Sequence, residues 1–263
     1  MSSPEAEPSK GSEPCPSGMA LVEGGQPTEK QLKRWKEHYP TVSPPSEIAA
    51  FCLDLREATE ADLSARGPEL LNAWTGTKPL CLARGDCGPN PVVNIGGQKA
   101  ESFCSSGGKR LPTLFEWLWA AGGGGEDRVY PWGSEPPSVT RLNGCDLSCG
   151  EVKRGDCDGR EIKRGECDAE DLAELKGDDG YGMAAPVGSF PAGAGRWGHL
   201  DLAGNVSEYA SAQGRKYLCG SDFGGSHSDV GMSLHGLACE GGAGASTYHA
   251  GVRCASDPAP SRR

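Results

Sequence analysis

Chemistry in this chain would come from three groups of side chains: twelve cysteines, a histidine- and hydroxyl-bearing stretch around residue 230, and acidic or amide residues set in glycine-rich loops. Asp229, Ser233 and His235 have the residue types of a hydrolase triad. Triads are assembled in space from separate elements, however, and no Gly-x-Ser-x-Gly elbow is present, so this crowding reads as chance composition. His227, His235 and His249 show neither a zinc spacing nor an i, i+4 helical pair, and read as solvated loop histidines. No Cys-x-x-Cys pair offers a zinc knuckle. The even count of cysteines reads instead as disulfides, which need an oxidising compartment. Proximity suggests Cys15 with Cys52, Cys81 with Cys87 and Cys219 with Cys239, while sequence alone leaves the connectivity open. The ion that suits acidic loops is calcium, which takes six to eight hard oxygens from carboxylates, amides and backbone carbonyls.

The elements that must position these groups are short. Met19-Ala20-Leu21-Val22 before Gly24-Gly25 reads as a strand ending in a turn. Thr28 and Gln31 spell a capping box, and Leu32, Trp35 and Tyr39 fall on one face of the surface helix that it starts. Phe51 to Leu55 reads as a strand, followed by a helix with Thr59 as its cap. Ala100, Phe103 and Cys104 share a helical face that Gly107 and Gly108 terminate. Thr113 and Glu116 form a second capping box, ahead of the apolar anchors Leu114, Trp117, Leu118 and Ala121.

Between Cys145 and Gly177 a tandem echo, Glu151 to Asp158 and Glu161 to Asp168, reads as a charged, disulfide-pinned surface insertion. It is not an EF-hand, because the loop starting at Asp156 lacks the sixth-position glycine and the twelfth-position glutamate. From Pro186 to Cys254 the glycine-rich text predicts short strands and tight loops. The expected organisation is a flexible stalk over 1–17, one domain over 18–256 with a Cys-rich insertion at 145–177, and a disordered tail over 257–263.

With 40 glycines and 20 prolines but few aromatics, the 263 residues point to a loop-rich α+β fold rather than long helices. A formal charge of -10 disfavours nucleic acid as a partner, since phosphate backbones are bound by clustered Lys and Arg. No apolar run approaches the roughly 20 residues of a membrane span. Nor does a charged start followed by an apolar stretch mark a signal peptide, so the oxidising compartment implies a leader that this numbering does not contain.

Six signatures follow in order: Gly108-Lys109-Arg110-Leu111-Pro112-Thr113, Tyr130-Pro131-Trp132-Gly133, Pro186-Val187-Gly188-Ser189-Phe190, Ala203-Gly204-Asn205-Val206-Ser207-Glu208, Gly224-Gly225-Ser226 and Gly251-Val252-Arg253-Cys254. Their series resembles the formylglycine-generating enzyme family, the sulfatase-modifying factors, from about Met19 to Cys254. The resemblance implies a disulfide-stapled α+β domain of C-type lectin-like architecture, a Cys104–Cys254 disulfide and a core position for Trp132. It also implies structural calcium on Asn143 and Asp179 with carbonyls near Gly144 and Tyr181, and a second site on Asn205, Val206 and Glu208.

Oxidases of this family hold a cuprous ion on two thiolates shortly after Gly-Gly-Ser, and an ungapped reading puts Asp229 and Leu234 at those places. Ser207 and Tyr209 likewise replace two family tryptophans, removing an aromatic wall near the substrate groove. The expectation is an extracytoplasmic binding or structural protein with calcium and without copper. Its protein, peptide or glycan ligand would meet Ser207, Ser226, His227, Asp229, His235 and the insertion. The alternative is a divergent oxidase that converts a sulfatase cysteine to formylglycine.

Overall fold

The computed structural model describes residues 14–66, 88–147, 175–223, 238–241 and 249–260. Among the described residues four helices lie in the first half of the chain and two small sheets frame them: α1 (Glu29–His38), α2 (Glu60–Ala65), α3 (Gly97–Ser106) and α4 (Leu114–Ala121). The first sheet is antiparallel, in the order β1 (Met19–Val22), β2 (Phe51–Asp54), β7 (Ala255–Ser256), with Met19 opposite Asp54 and Cys52 opposite Ser256. A second sheet joins β5 (Cys239–Gly241), β4 (Arg215–Cys219), β3 (Ser207–Ala212) and β6 (Ala250–Gly251) in that order. The α+β reading therefore stands.

Helix starts follow the local chemistry. At Thr28, Thr59 and Thr113 the side chain accepts the N–H of the third helical residue, whose own side chain returns a bond to the cap backbone. These pairs satisfy donors that a helix end otherwise leaves unmade. Helix α4 is buried on nearly every side, as expected for a helix that is apolar all round. Its Leu114, Phe115, Trp117 and Trp119 pack with Phe51 and Leu53 of the first sheet and with Ala210 and Tyr217 of the second. The opposite face of the second sheet presents Tyr209 and Leu218 to α3, where Ala100 and Phe103 meet Val252. The alternation of Tyr209 and Ala210 between two cores is the period-2 rule of a strand buried on both faces.

Helix α1 was expected at the surface, yet one face of it belongs to the core. Trp35 lies 5.0 Å from the ring of Phe115, and the Tyr39 hydroxyl accepts the Cys239 N–H at 2.9 Å. Trp132, expected in the core, is only partly buried. It stacks on Tyr130 at 5.1 Å within a tight turn and donates its indole N–H to the Glu135 carbonyl.

Three disulfides take the expected pairings: Cys15–Cys52, Cys104–Cys254 and Cys219–Cys239. Cys81 and Cys87 lie outside the described residues, as does most of the 145–177 insertion. The order of the domain reaches past both expected boundaries. Pro14, inside the expected stalk, accepts the N–H of Ala259, inside the expected tail, at 2.8 Å, and Asp257 pairs with Arg110 at 3.0 Å.

Candidate metal centre and the buried charge cluster beside it

Asn143 to Asp146 and Asp178 to Met183 come from two loops that backbone bonds hold together, Leu147 donating to Gly177 and Leu175 to Cys145. The close pass of a third loop needs a glycine: Gly204 lies at φ +84, and a Cβ there would stand 2.4 Å from the Asn143 carbonyl. The Asn143 carbonyl accepts the Asn205 N–H at 2.8 Å, and its amide nitrogen donates to the Met183 carbonyl and to Asn205 Oδ1.

Two buried oxygens here lack a hydrogen-bond partner, Asn143 Oδ1 and Asp179 Oδ2. Leaving such atoms unpaired costs on the order of 1–3 kcal/mol each. Asp146, Asp178 and Asp179 bring carboxylate oxygens within 4.8 Å of one another. Oxygens on opposite sides of one calcium ion stand about 4.6–5.2 Å apart, so the cluster has the right span. Burial, and then the charges of Asp146 and Asp178, push the Asp179 carboxyl up to about 7, although its Oδ1 accepts the Tyr181 N–H at 2.7 Å. A bound cation would relieve that repulsion.

Of the residues expected as ligands, Asp179 belongs to this acidic cluster, Asn143 lies on the same loop as Asp146 with its amide bonded to Met183 and Asn205, and Gly144 is buried beside it. Asp146 and Asp178 were not singled out. For Asp178 the signal is the acidic doublet before Gly180, a turn-forming string; for Asp146, whose Oδ2 accepts the Asp179 N–H, no sequence signal exists.

The second expected site is built differently. Asn205 Oδ1 accepts from Asn143 and from Ala185 N–H, and Asn205 Nδ2 donates to Glu57 at 2.6 Å. The Val206 N–H also donates to Glu57, while Glu208 accepts Trp117 Nε1 at 2.8 Å and the Arg253 guanidinium at 2.7–3.0 Å. These side chains have protein partners throughout, which is the capping and ion-pair arrangement rather than an ion cage. Burial, then Asp201 and Glu208, push the Glu57 carboxyl well above the usual range.

Ser207 is buried, donating its N–H to the His249 carbonyl, with Asp222 3.5 Å from its hydroxyl and Asp222 paired with His249 at 3.0 Å. Ser207 does not form a triad, because Asp222 lies between it and the imidazole. Ser226, His227, Asp229 and His235 lie outside the described residues.

Residues 4–258 match the model of the sulfatase-modifying factor enzyme 1-like domain. Among curated relatives, the inactive C-alpha-formylglycine-generating enzyme 2 of Bos taurus is 34% identical over 123 residues, 47% of this chain and 33% of that protein. The formylglycine-generating enzyme of Thermomonospora curvata is 33% identical over 124 residues, again 47% of this chain and 34% of that protein. The matches therefore span about a third of these relatives' length. The solved structure of CarF covers 92% of this chain and 98% of its own, with a TM-score of 0.57 at 17% identity, a likeness of fold.

Proposed function

Since this chain belongs to the sulfatase-modifying factor family, we propose that it is a non-catalytic member, a calcium-stabilised binding or structural domain of an extracytoplasmic setting. What carries this reading is the sequence after Gly224-Gly225-Ser226, where an ungapped reading puts Asp229 and Leu234 at the places of the family's redox cysteine pair. A hard carboxylate and a hydrocarbon do not hold a soft cuprous ion. Every cysteine among the described residues is bridged, so none of these supplies a substitute thiolate. That a relative of similar identity carries the word inactive in its name supports the reading.

The disulfides support an oxidising compartment. Among the described residues no helix is long and apolar enough to cross a membrane. Calcium is the reading for the first loop cluster because its carboxylates are hard and come from loops, and because Asp179 Oδ2 in the cluster and the amide oxygen of Asn143 on the same loop as Asp146 are buried without hydrogen-bond partners.

Incubation with a sulfatase-derived peptide bearing Cys-x-Pro-x-Arg, in the presence of copper and oxygen, tests the loss of activity. The peptide's mass is expected to stay unchanged; a loss corresponding to formylglycine would establish the oxidase reading instead.

A further inference from the structure

A cavity of about 190 Å³ opens where β2, α2 and α3 meet, on residues that the metal cluster does not use. It is lined by three cationic residues, Arg56, Arg66 and Lys109, and by Asp54 and Asp62. Lys109 is ion-paired with Asp54, and Asp62 accepts both the N–H and the hydroxyl of Thr59 through one oxygen. Glu57 also touches the cavity, but its two oxygens accept from Asn205 and Val206.

The guanidiniums remain. Arg66 lies over the Phe103 ring at 4.3 Å and donates to Ser106 Oγ at 3.1 Å, contacts that orient it without neutralising it. Arg56 has no carboxylate partner among the described residues. Two arginines that line one small concavity, neither in an ion pair among the described residues, are an arrangement that an anion would complete.

We propose that this cavity binds the carboxylate of a small organic acid through Arg56 and Arg66. A guanidinium presents paired N–H donors that match a carboxylate fork to fork. The volume sets the size: it is below the roughly 300–1,000 Å³ of drug-sized pockets, leaving room for a carboxylate and a few further atoms. Asp54 and Asp62 on the same walls favour a single negative charge over the two of a sulfate or a phosphate ester.

Calorimetric titration of the full, disulfide-intact chain with N-acetylglycine, its uncharged amide and inorganic sulfate tests this. The acid is expected to bind in the millimolar range, sulfate more weakly and the amide not at all. Arg56→Gln and Arg66→Gln should each weaken the acid about tenfold, the scale of one charge-assisted hydrogen bond. Lys33→Gln, on the exposed side of α1, should leave binding unchanged, which separates a site from net charge. If Arg66→Gln does not fold, the exposed Arg56 position carries the test alone. Absence of binding by the acid, equal binding by the amide, tighter binding by sulfate, or full affinity in Arg56→Gln would each overturn the proposal.

Discussion

At the residue scale the chain places polar groups where water cannot reach them, and the cost differs from one to the next. Asn143 Oδ1 and Asp179 Oδ2 are buried without a hydrogen-bond partner, and Asp179 belongs to the acidic cluster, where a cation would have most to gain. Chelation of the calcium-loaded protein is expected to lower the melting temperature by about 5–10 °C, if the ion is present near 100 times its Kd. Asp179→Asn should abolish the calcium-dependent part of that shift in a thermal scan, and an unchanged shift would remove this cluster from consideration.

His199 gives a pH dependence of determined sign. Burial, and then the nearby Arg253 charge, lower its pKa to about 3, so the folded chain holds a neutral ring that the unfolded chain protonates near 6.5. Its contribution to stability is full above pH 6.5 and is lost as pH falls from there towards 3. Between pH 6.5 and pH 5 the loss amounts to about 1.5–2 kcal/mol. Because the raised Asp179 and Glu57 carboxyls take up protons on folding and oppose this term, urea titrations should show it as a difference: over that range the parent loses about that much more stability than His199→Gln, and equal slopes would refute it.

At the element scale, the capping boxes explain why short helices hold their places. Helix α4 has eight residues, too few to be stable alone, and it is fixed by its Thr113 cap and by burial between the two sheets. Thr113→Ala is expected to cost about 1 kcal/mol by removing the acceptor for the Glu116 N–H. The change should appear as a lower urea midpoint at constant slope.

The helices were legible in the sequence because capping is local: Thr28, Thr59 and Thr113 each find their partner three residues on. The depth of α1 was not, since Trp35 and Tyr39 are matched by Phe115 and Cys239, far along the chain. Trp132 shows the converse. An aromatic in a family signature invites a core position, but the turn from Tyr130 to Gly133 leaves it stacked at the surface.

At the scale of the whole molecule, two termini and two sheets are tied by cross-links of very different reach. Cys104–Cys254 spans 150 residues and joins α3 to the segment between β6 and β7, whereas Cys219–Cys239 spans 20 and pairs adjacent strands β4 and β5. On the loop-entropy model, removing the long cross-link should cost about 2 kcal/mol more than removing the short one. Stability measurements on Cys104→Ala/Cys254→Ala and Cys219→Ala/Cys239→Ala variants compare them directly, and equal losses would show that strain or packing outweighs chain entropy.

The sequence by itself determined the family, the α+β class and the capping boxes, because these depend on short strings or on signatures kept in order; it suggested the Cys15–Cys52, Cys104–Cys254 and Cys219–Cys239 pairs, which the tertiary structure decided. Tertiary structure alone decided what Asn205 and Glu208 do. Their string reads as an ion site, yet Glu57, Trp117 and Arg253 arrive from distant segments to take up the same oxygens and amides. It also decided that Asp146 joins Asp178 and Asp179, and that Arg56 and Arg66 share a cavity. Each outcome turns on which groups meet across long sequence separations, and a hydrogen bond or an ion pair has its energy only at contact distance.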